Sequence, residues 1–169
     1  MKRLLPIAFL ALLIAGCNTS GCLDNGSAIP LASLLSSATG QKVTINMVQV
    51  HGVGVPGDSI LVTSGTAVSE IYLPMRSNAT SVQWCFHYTQ SDISGLELND
   101  TISLGYTSQP YFASEECGAY YRYHIDKCET TTHLIDSVLV VDSLVTNVDK
   151  TYLQIYIRTA ESDPNAPAQ

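Results

Sequence analysis

Ser81-Val82-Gln83-Trp84-Cys85-Phe86-His87-Tyr88-Thr89 decides the fold class. Val82, Trp84, Phe86 and Tyr88 share one parity, and Gln83, Cys85 and His87 share the other. A period of two belongs to a β-strand with one face buried and one face wet. Thr101 to Thr107 repeats the pattern with Ile102, Leu104 and Tyr106 inward. Cys117 to Ile125 puts Cys117, Ala119, Tyr121, Tyr123 and Ile125 on one face. Lys42 to Val50, Ser59 to Thr63, Ala67 to Leu73 and Thr151 to Arg158 are further strand-like runs, and Leu134 to Val141 is almost continuously apolar. Ile29 to Ser36 reads as a weak strand or a short helix. Thr39-Gly40, the glycines and proline from Gly52 to Gly57, and Asn147 to Lys150 supply turns. No stretch holds a long 3.6-residue period, so an α/β fold is not expected. The expectation is an all-β protein. Its single domain, residues 30–159, is an antiparallel β-sandwich of seven to nine strands, with an immunoglobulin-like arrangement as one form of it.

Upstream of that domain the composition changes. Met1-Lys2-Arg3 is a short cationic segment, and Leu4 to Ala15 is apolar with Pro6 inside it. Twelve residues are too few for a bilayer span, which needs about twenty. They suit the apolar region of a signal peptide, here residues 1–16. Ile14-Ala15-Gly16-Cys17 then reads as a lipobox, with small residues before the cleavage point and the Cys17 thiol as the lipidation site. Each buried acyl methylene holds the chain by about 0.8 kcal/mol, so two or three chains anchor firmly. Asn18, rather than Asp, would follow the lipidated cysteine. In the sorting rule for Gram-negative lipoproteins this favours the outer membrane, with the periplasmic or outer face left open. Residues 17–29 are small and polar and read as the lipidated cysteine and a flexible tether. Residues 160–169, with Pro164 and Pro167, read as a disordered tail.

The chain carries a formal charge of −7, and loss of Lys2 and Arg3 with the signal peptide leaves six basic against fifteen acidic residues, or −9. Such a surface excludes nucleic acid, whose phosphates demand Lys and Arg. It also leaves the lipid, not charge, as the means of holding a membrane.

Four cysteines remain beyond Cys17: Cys22, Cys85, Cys117 and Cys128. In an oxidising compartment an even number reads as two disulfides, with three connectivities open. None stands as Cys-x-x-Cys, so neither a redox motif nor a zinc knuckle is expected. Parity favours one pairing. Cys85 lies with Gln83 and His87. If its strand runs on unbroken, Cys128 lies with Tyr120, Arg122, His124 and Asp126. Both would then face outward and could pair as Cys85–Cys128, leaving Cys22–Cys117.

Chemistry-bearing motifs are sparse. His51, His87, His124 and His133 form no metal-ligand spacing, so no metal and no cofactor are expected. Glu115-Glu116 would point to opposite faces of a strand, which disfavours shared acid–base work. The Gly52 to Gly57 loop lacks the Lys-Ser/Thr of a phosphate loop, and no nucleophile elbow occurs. An enzyme is not expected, and no catalytic residue is assigned. The strongest patch is Tyr120, Arg122 and His124, with Gln83 and His87 on an adjoining strand. Aromatic rings and a guanidinium suit a glycan or a protein partner.

Several phrases carry a resemblance: Val50-His51-Gly52-Val53-Gly54, Leu73-Pro74-Met75, Thr101-Ile102-Ser103-Leu104-Gly105-Tyr106, Ala113-Ser114-Glu115-Glu116-Cys117-Gly118 and Ile135-Asp136-Ser137-Val138. In this order they resemble an uncharacterised lipoprotein family of the Bacteroides lineage, domain-of-unknown-function family 6452. The resemblance implies a bridge between a cysteine near the lipid-bearing end and the one in the Ser-Glu-Glu-Cys-Gly phrase, hence Cys22 with Cys117. Cys85 and Cys128 depart from the pattern as a pair. Asp58-Ser59-Ile60, Asp100-Thr101-Ile102, Asp136-Ser137-Val138 and Asp142-Ser143-Leu144 are similar to the O-glycosylation acceptor of that lineage, making Ser59, Thr101, Ser137 and Ser143 candidate sites. The functional expectation is a lipid-anchored, non-enzymatic envelope lipoprotein that binds or presents a protein or glycan. A periplasmic accessory subunit of an envelope complex is the alternative.

Overall fold

The computed structural model describes residues 27–54, 59–89, 98–115 and 117–159. The signal peptide, Cys17, Cys22 and the tail at 160–169 lie outside the described residues, as do Pro56, Gly57 and Asp58. Ten strands occur among the described residues: β1 Leu31–Ser36, β2 Val48–Gly52, β3 Ile60–Val62, β4 Glu70–Tyr72, β5 Ser81–Tyr88, β6 Asp100–Ser114, β7 Gly118–Thr130, β8 Ile135–Val140, β9 Leu144–Val145 and β10 Thr151–Ile157. They form a four-stranded sheet in the order β4-β1-β10-β8 and a six-stranded sheet in the order β3-β2-β5-β6-β7-β9.

The two sheets close over one core. Val82, Trp84, Phe86 and Tyr88 of β5 enter it from the larger sheet with Ile102, Leu104 and Tyr106 of β6. Leu34 of β1 and Leu153, Ile155 and Ile157 of β10 meet them from the smaller. The alternation that marked β5 is therefore the imprint of this core on one of its walls.

All pairings within the two sheets are antiparallel except one: β1 runs parallel to β10, from Leu31 opposite Thr151 to Ser36 opposite Ile157. A parallel pair needs a long crossover, and here the intervening domain supplies it. Partnership with β10 settles the ambiguous Leu31–Ser36 stretch as strand. Small hydroxyls line the outer side of the seam, where Ser33 Oγ meets Thr151 Oγ1 at 2.9 Å.

Two strands outrun their expected bounds. β6 continues to Ser114 and β7 to Thr130, so their hairpin extends past the first residue of β5, Ser81, which pairs with Gly105. Pro110 sits in this extension without breaking it. The Tyr106 amide points toward the β5 side, donating to Thr80 O at 2.9 Å. By alternation the Pro110 nitrogen faces the same side, beyond the end of β5, so its missing N–H costs no ladder bond.

The expected Cys85–Cys128 disulfide is corrected by the ladder: both thiols are free. Gly105 pairs with Lys127, but the next residue, Tyr106, pairs with Ile125, leaving Asp126 as an extra residue in β7. This β-bulge reverses the parity beyond it. Cys128 therefore sits opposite Leu104, on the core side, whereas Cys85 sits opposite Thr101 on the outer side. Strand β6 also separates them, a gap of about 10 Å across two strand spacings. Their registers differ by three residues, about 10 Å more along the strands. A disulfide tolerates no more than about 7 Å between Cα atoms.

Candidate contact surface

Beyond the end of β5 the β6–β7 hairpin becomes a two-stranded arm, Gln109–Ser114 against Gly118–Arg122. Tyr106 and Tyr123 anchor its base, their rings edge to face with centroids 5.5 Å apart. The Tyr106 hydroxyl donates to Arg76 O at 2.9 Å, tying the base to the β4–β5 connection. At the tip Ser114 Oγ accepts the Cys117 amide at 3.0 Å, and Gly118 takes φ 68°, a turn conformation that strains a side-chain-bearing residue.

The outer face of the arm carries a stack. Tyr111 pairs with Tyr120 across the ladder, with ring centroids 5.4 Å apart. The Arg122 guanidinium lies over the Tyr111 ring, Cζ 3.1 Å from its centroid, and Arg122 Nε donates to the Tyr120 hydroxyl at 3.2 Å. That hydrogen bond outweighs the cost of desolvation and holds the Arg122 pKa above its ordinary value. The guanidinium is thus a fixed, planar, permanently charged group on an aromatic bed. On the opposite face Phe112 is 63% exposed and Tyr121 44%.

The five residues expected to make one patch are not gathered in one place. Tyr120 and Arg122 are together, although Tyr120 is buried, a member of the core cluster that lines a cleft with Ala28, Ile29 and Met75. His124 is exposed beside them, paired with Leu144 of β9 and 3.8 Å from Asp126. Gln83 bonds Ser103 at 3.0 Å, and His87 bonds Asn99 at 3.0 Å. Ser103 lies six residues along β6 from Gln109, the partner of Arg122, which is about 20 Å of strand. Tyr111 completes this surface and Phe112 stands on the opposite face; neither was singled out in the sequence. Their signal is the aromatic pair directly after Pro110.

The four candidate acceptor hydroxyls differ in access. Ser59 and Ser137 are exposed, whereas Thr101 and Ser143 are half-buried. Asp100 is wholly buried. Its carboxylate accepts from the hydroxyls of Tyr88 and Thr131 and the amides of His133, Leu134 and Ile135, all at 2.7–2.9 Å. It is a fastening for the β7–β8 turn rather than a reacting group. Among the described residues no group of three or more His, Cys, Asp or Glu is placed to hold a metal ion. Cys117 is disulfide-bonded.

A family model described as a family of unknown function (DUF6452) matches residues 47–157. That span runs from just before β2 to the end of β10 and includes the whole arm. No curated protein and no solved structure matches the chain.

Proposed function

The chain belongs to this family of unknown function (DUF6452), and we propose that it is a lipid-anchored, non-enzymatic envelope module that offers the outer face of the β6–β7 arm to a protein or glycan. The observation that carries the reading is the stack of Arg122 on Tyr111 and Tyr120. It sets the exposed Tyr111 and a fixed guanidinium side by side beyond the sandwich, a combination that suits a sugar ring or a partner side chain.

The anchor is the acylated Cys17 of the lipobox, on the outer membrane. Cys22 bridges to Cys117. In support, Cys85 and Cys128 are free and Cys117 is disulfide-bonded. Acylation occupies the thiol of Cys17, which leaves Cys22. Reach also favours the pairing. Ser27 lines a cleft with Ala119 and Tyr121 of the arm, and the five residues back to Cys22 span up to about 18 Å. The bridge would fix the tether to the arm tip. Ser59 and Ser137 are the acceptors open to O-glycosylation, since a glycan needs an exposed hydroxyl.

Photo-crosslinking in intact cells tests the contact surface. A photoreactive phenylalanine in place of Tyr111 should give a defined adduct, and one in place of Tyr72, an exposed residue on β4, should not. Equal adducts from both positions, or none from Tyr111, would contradict the reading. Loss of labelled fatty acid in Cys17→Ala checks the anchor separately.

A further inference from the structure

The face of the arm opposite the Arg122 stack continues the core face of the larger sheet. Along β6 the inward parity of Ile102, Leu104 and Tyr106 runs on through Ser108 and Pro110 to Phe112. Along β7 that of Tyr123 runs on to Tyr121 and Ala119. Toward the tip this face emerges from the core: Tyr123 is buried, but Tyr121 is 44% exposed and Phe112 63%. Two exposed aromatic rings on one face, beyond the reach of the core, call for an occupant.

We propose that Phe112 and Tyr121, with Pro110, rest in the headgroup layer of the bilayer that carries the lipid anchor. The inference rests on the reading that Cys17 is acylated and Cys22 is bridged to Cys117. The length of chain decides the occupant. Five residues from Cys17 to Cys22 reach at most about 18 Å, and a disulfide adds up to about 7 Å between Cα atoms, so a bridged Cys117 stands within about 25 Å of the acylated residue. Phe112 pairs with Ala119, only two residues from Cys117, which is about 7 Å of strand. The exposed rings are therefore leashed to the membrane surface. Ser27, the first described residue, lines a cleft with Ala119, Tyr120 and Tyr121, so the described chain begins beside the arm.

The chemistry of the arm fits that depth and limits it. Tyr and Phe settle at the water–lipid boundary, where an apolar ring is covered and a hydroxyl stays wet. Arg122 lies on the far face and keeps its charge in water. Along Gly118–Arg122, among the described residues, no strand pairs with the edge away from β6. Its peptide groups need water, which keeps the arm out of the hydrocarbon. Exposed Glu115 at the tip and the charge of −9 left once Lys2 and Arg3 are removed (6 − 15) select a zwitterionic surface over an anionic one.

The test uses the acylated, disulfide-intact protein carrying Phe112→Trp, reconstituted in phosphatidylcholine vesicles with or without chain-brominated lipid. Trp84, buried in the core at 1% exposure, is the internal reference. Brominated lipid should quench the introduced tryptophan about twofold and leave Trp84 unchanged, as for a ring at the interface. The quenching should weaken as phosphatidylglycerol replaces phosphatidylcholine. Hydrogen exchange on the unsubstituted protein gives a second readout, with slower exchange at Tyr111–Ala113 on vesicles than in detergent. If the protein floats with the vesicles but the new tryptophan is unquenched and exchange is unchanged, the membrane contact is wrong and the anchor stands. If the protein does not float, the anchored reading and this inference fall together.

Discussion

The hydroxyl of Tyr88 on β5 donates to the carboxylate of Asp100, the first residue of β6, at 2.7 Å inside the core. The same carboxylate collects three successive amides from His133 to Ile135, so one buried charge fastens two strands and the turn into β8. Asp100→Ala strands those donors and should cost about 3–5 kcal/mol of stability, within the range for breaking a buried network. Tyr88→Phe removes one hydrogen bond to a charged acceptor and should cost about 1.5–3 kcal/mol. Urea unfolding measures both.

Acid should reveal the same network. Burial pushes the Asp100 carboxyl upward, but the hydrogen bonds from Ile135, His133, Tyr88 and Leu134 outweigh it and hold the pKa below the ordinary 3.8. A depressed carboxyl stabilises the fold above its unfolded value and loses that contribution as pH falls through the folded one. Stability should therefore be insensitive to Asp100 near neutral pH and decline below about pH 4. Asp100→Asn, though less stable, should show a shallower decline there. An equally steep one would remove Asp100 as the cause.

The Arg122 stack should matter locally. Arg122→Ala should speed amide exchange at Tyr111 and Tyr120 while the urea midpoint stays near that of the parent. Arg122→Lys should not restore protection, because a compact ammonium lacks the planar face that lies on Tyr111. Restoration by lysine would show that charge alone holds the arm.

If the native protein is glycosylated on serine, intact mass should fall by one glycan in Ser137→Ala or Ser59→Ala and stay unchanged in Thr101→Ala. Thr101 is half-buried behind an Asp100 already committed to the core. Retention of the full mass in all three variants would remove these sites.

The sandwich was legible wherever a strand has one buried and one wet face, as in Ser81–Thr89. Leu31–Ser36 was not, because Leu-Ala-Ser-Leu-Leu-Ser suits helix as well as strand and only β10 decides between them. The cysteine pairing failed at Asp126: parity assumes an unbroken ladder, and a single extra residue moves Cys128 to the other face. The arm was hidden for a related reason. Past the end of β5 the burial alternation fades, so the expected strand stopped at Thr107, and Tyr111, the aromatic bed of Arg122, lay beyond it. Tyr121 was expected in the core by parity, but it lies in the arm, where it is exposed.

A non-reducing peptide map of the protein purified from membranes tests the central claim of a lipid-anchored domain with its tether clipped to the arm. The expected result is a chain that begins at an acylated Cys17, a bridge from Cys22 to Cys117, and free thiols at Cys85 and Cys128. An unacylated amino terminus, or Cys117 bridged to Cys85 or Cys128, would contradict the account.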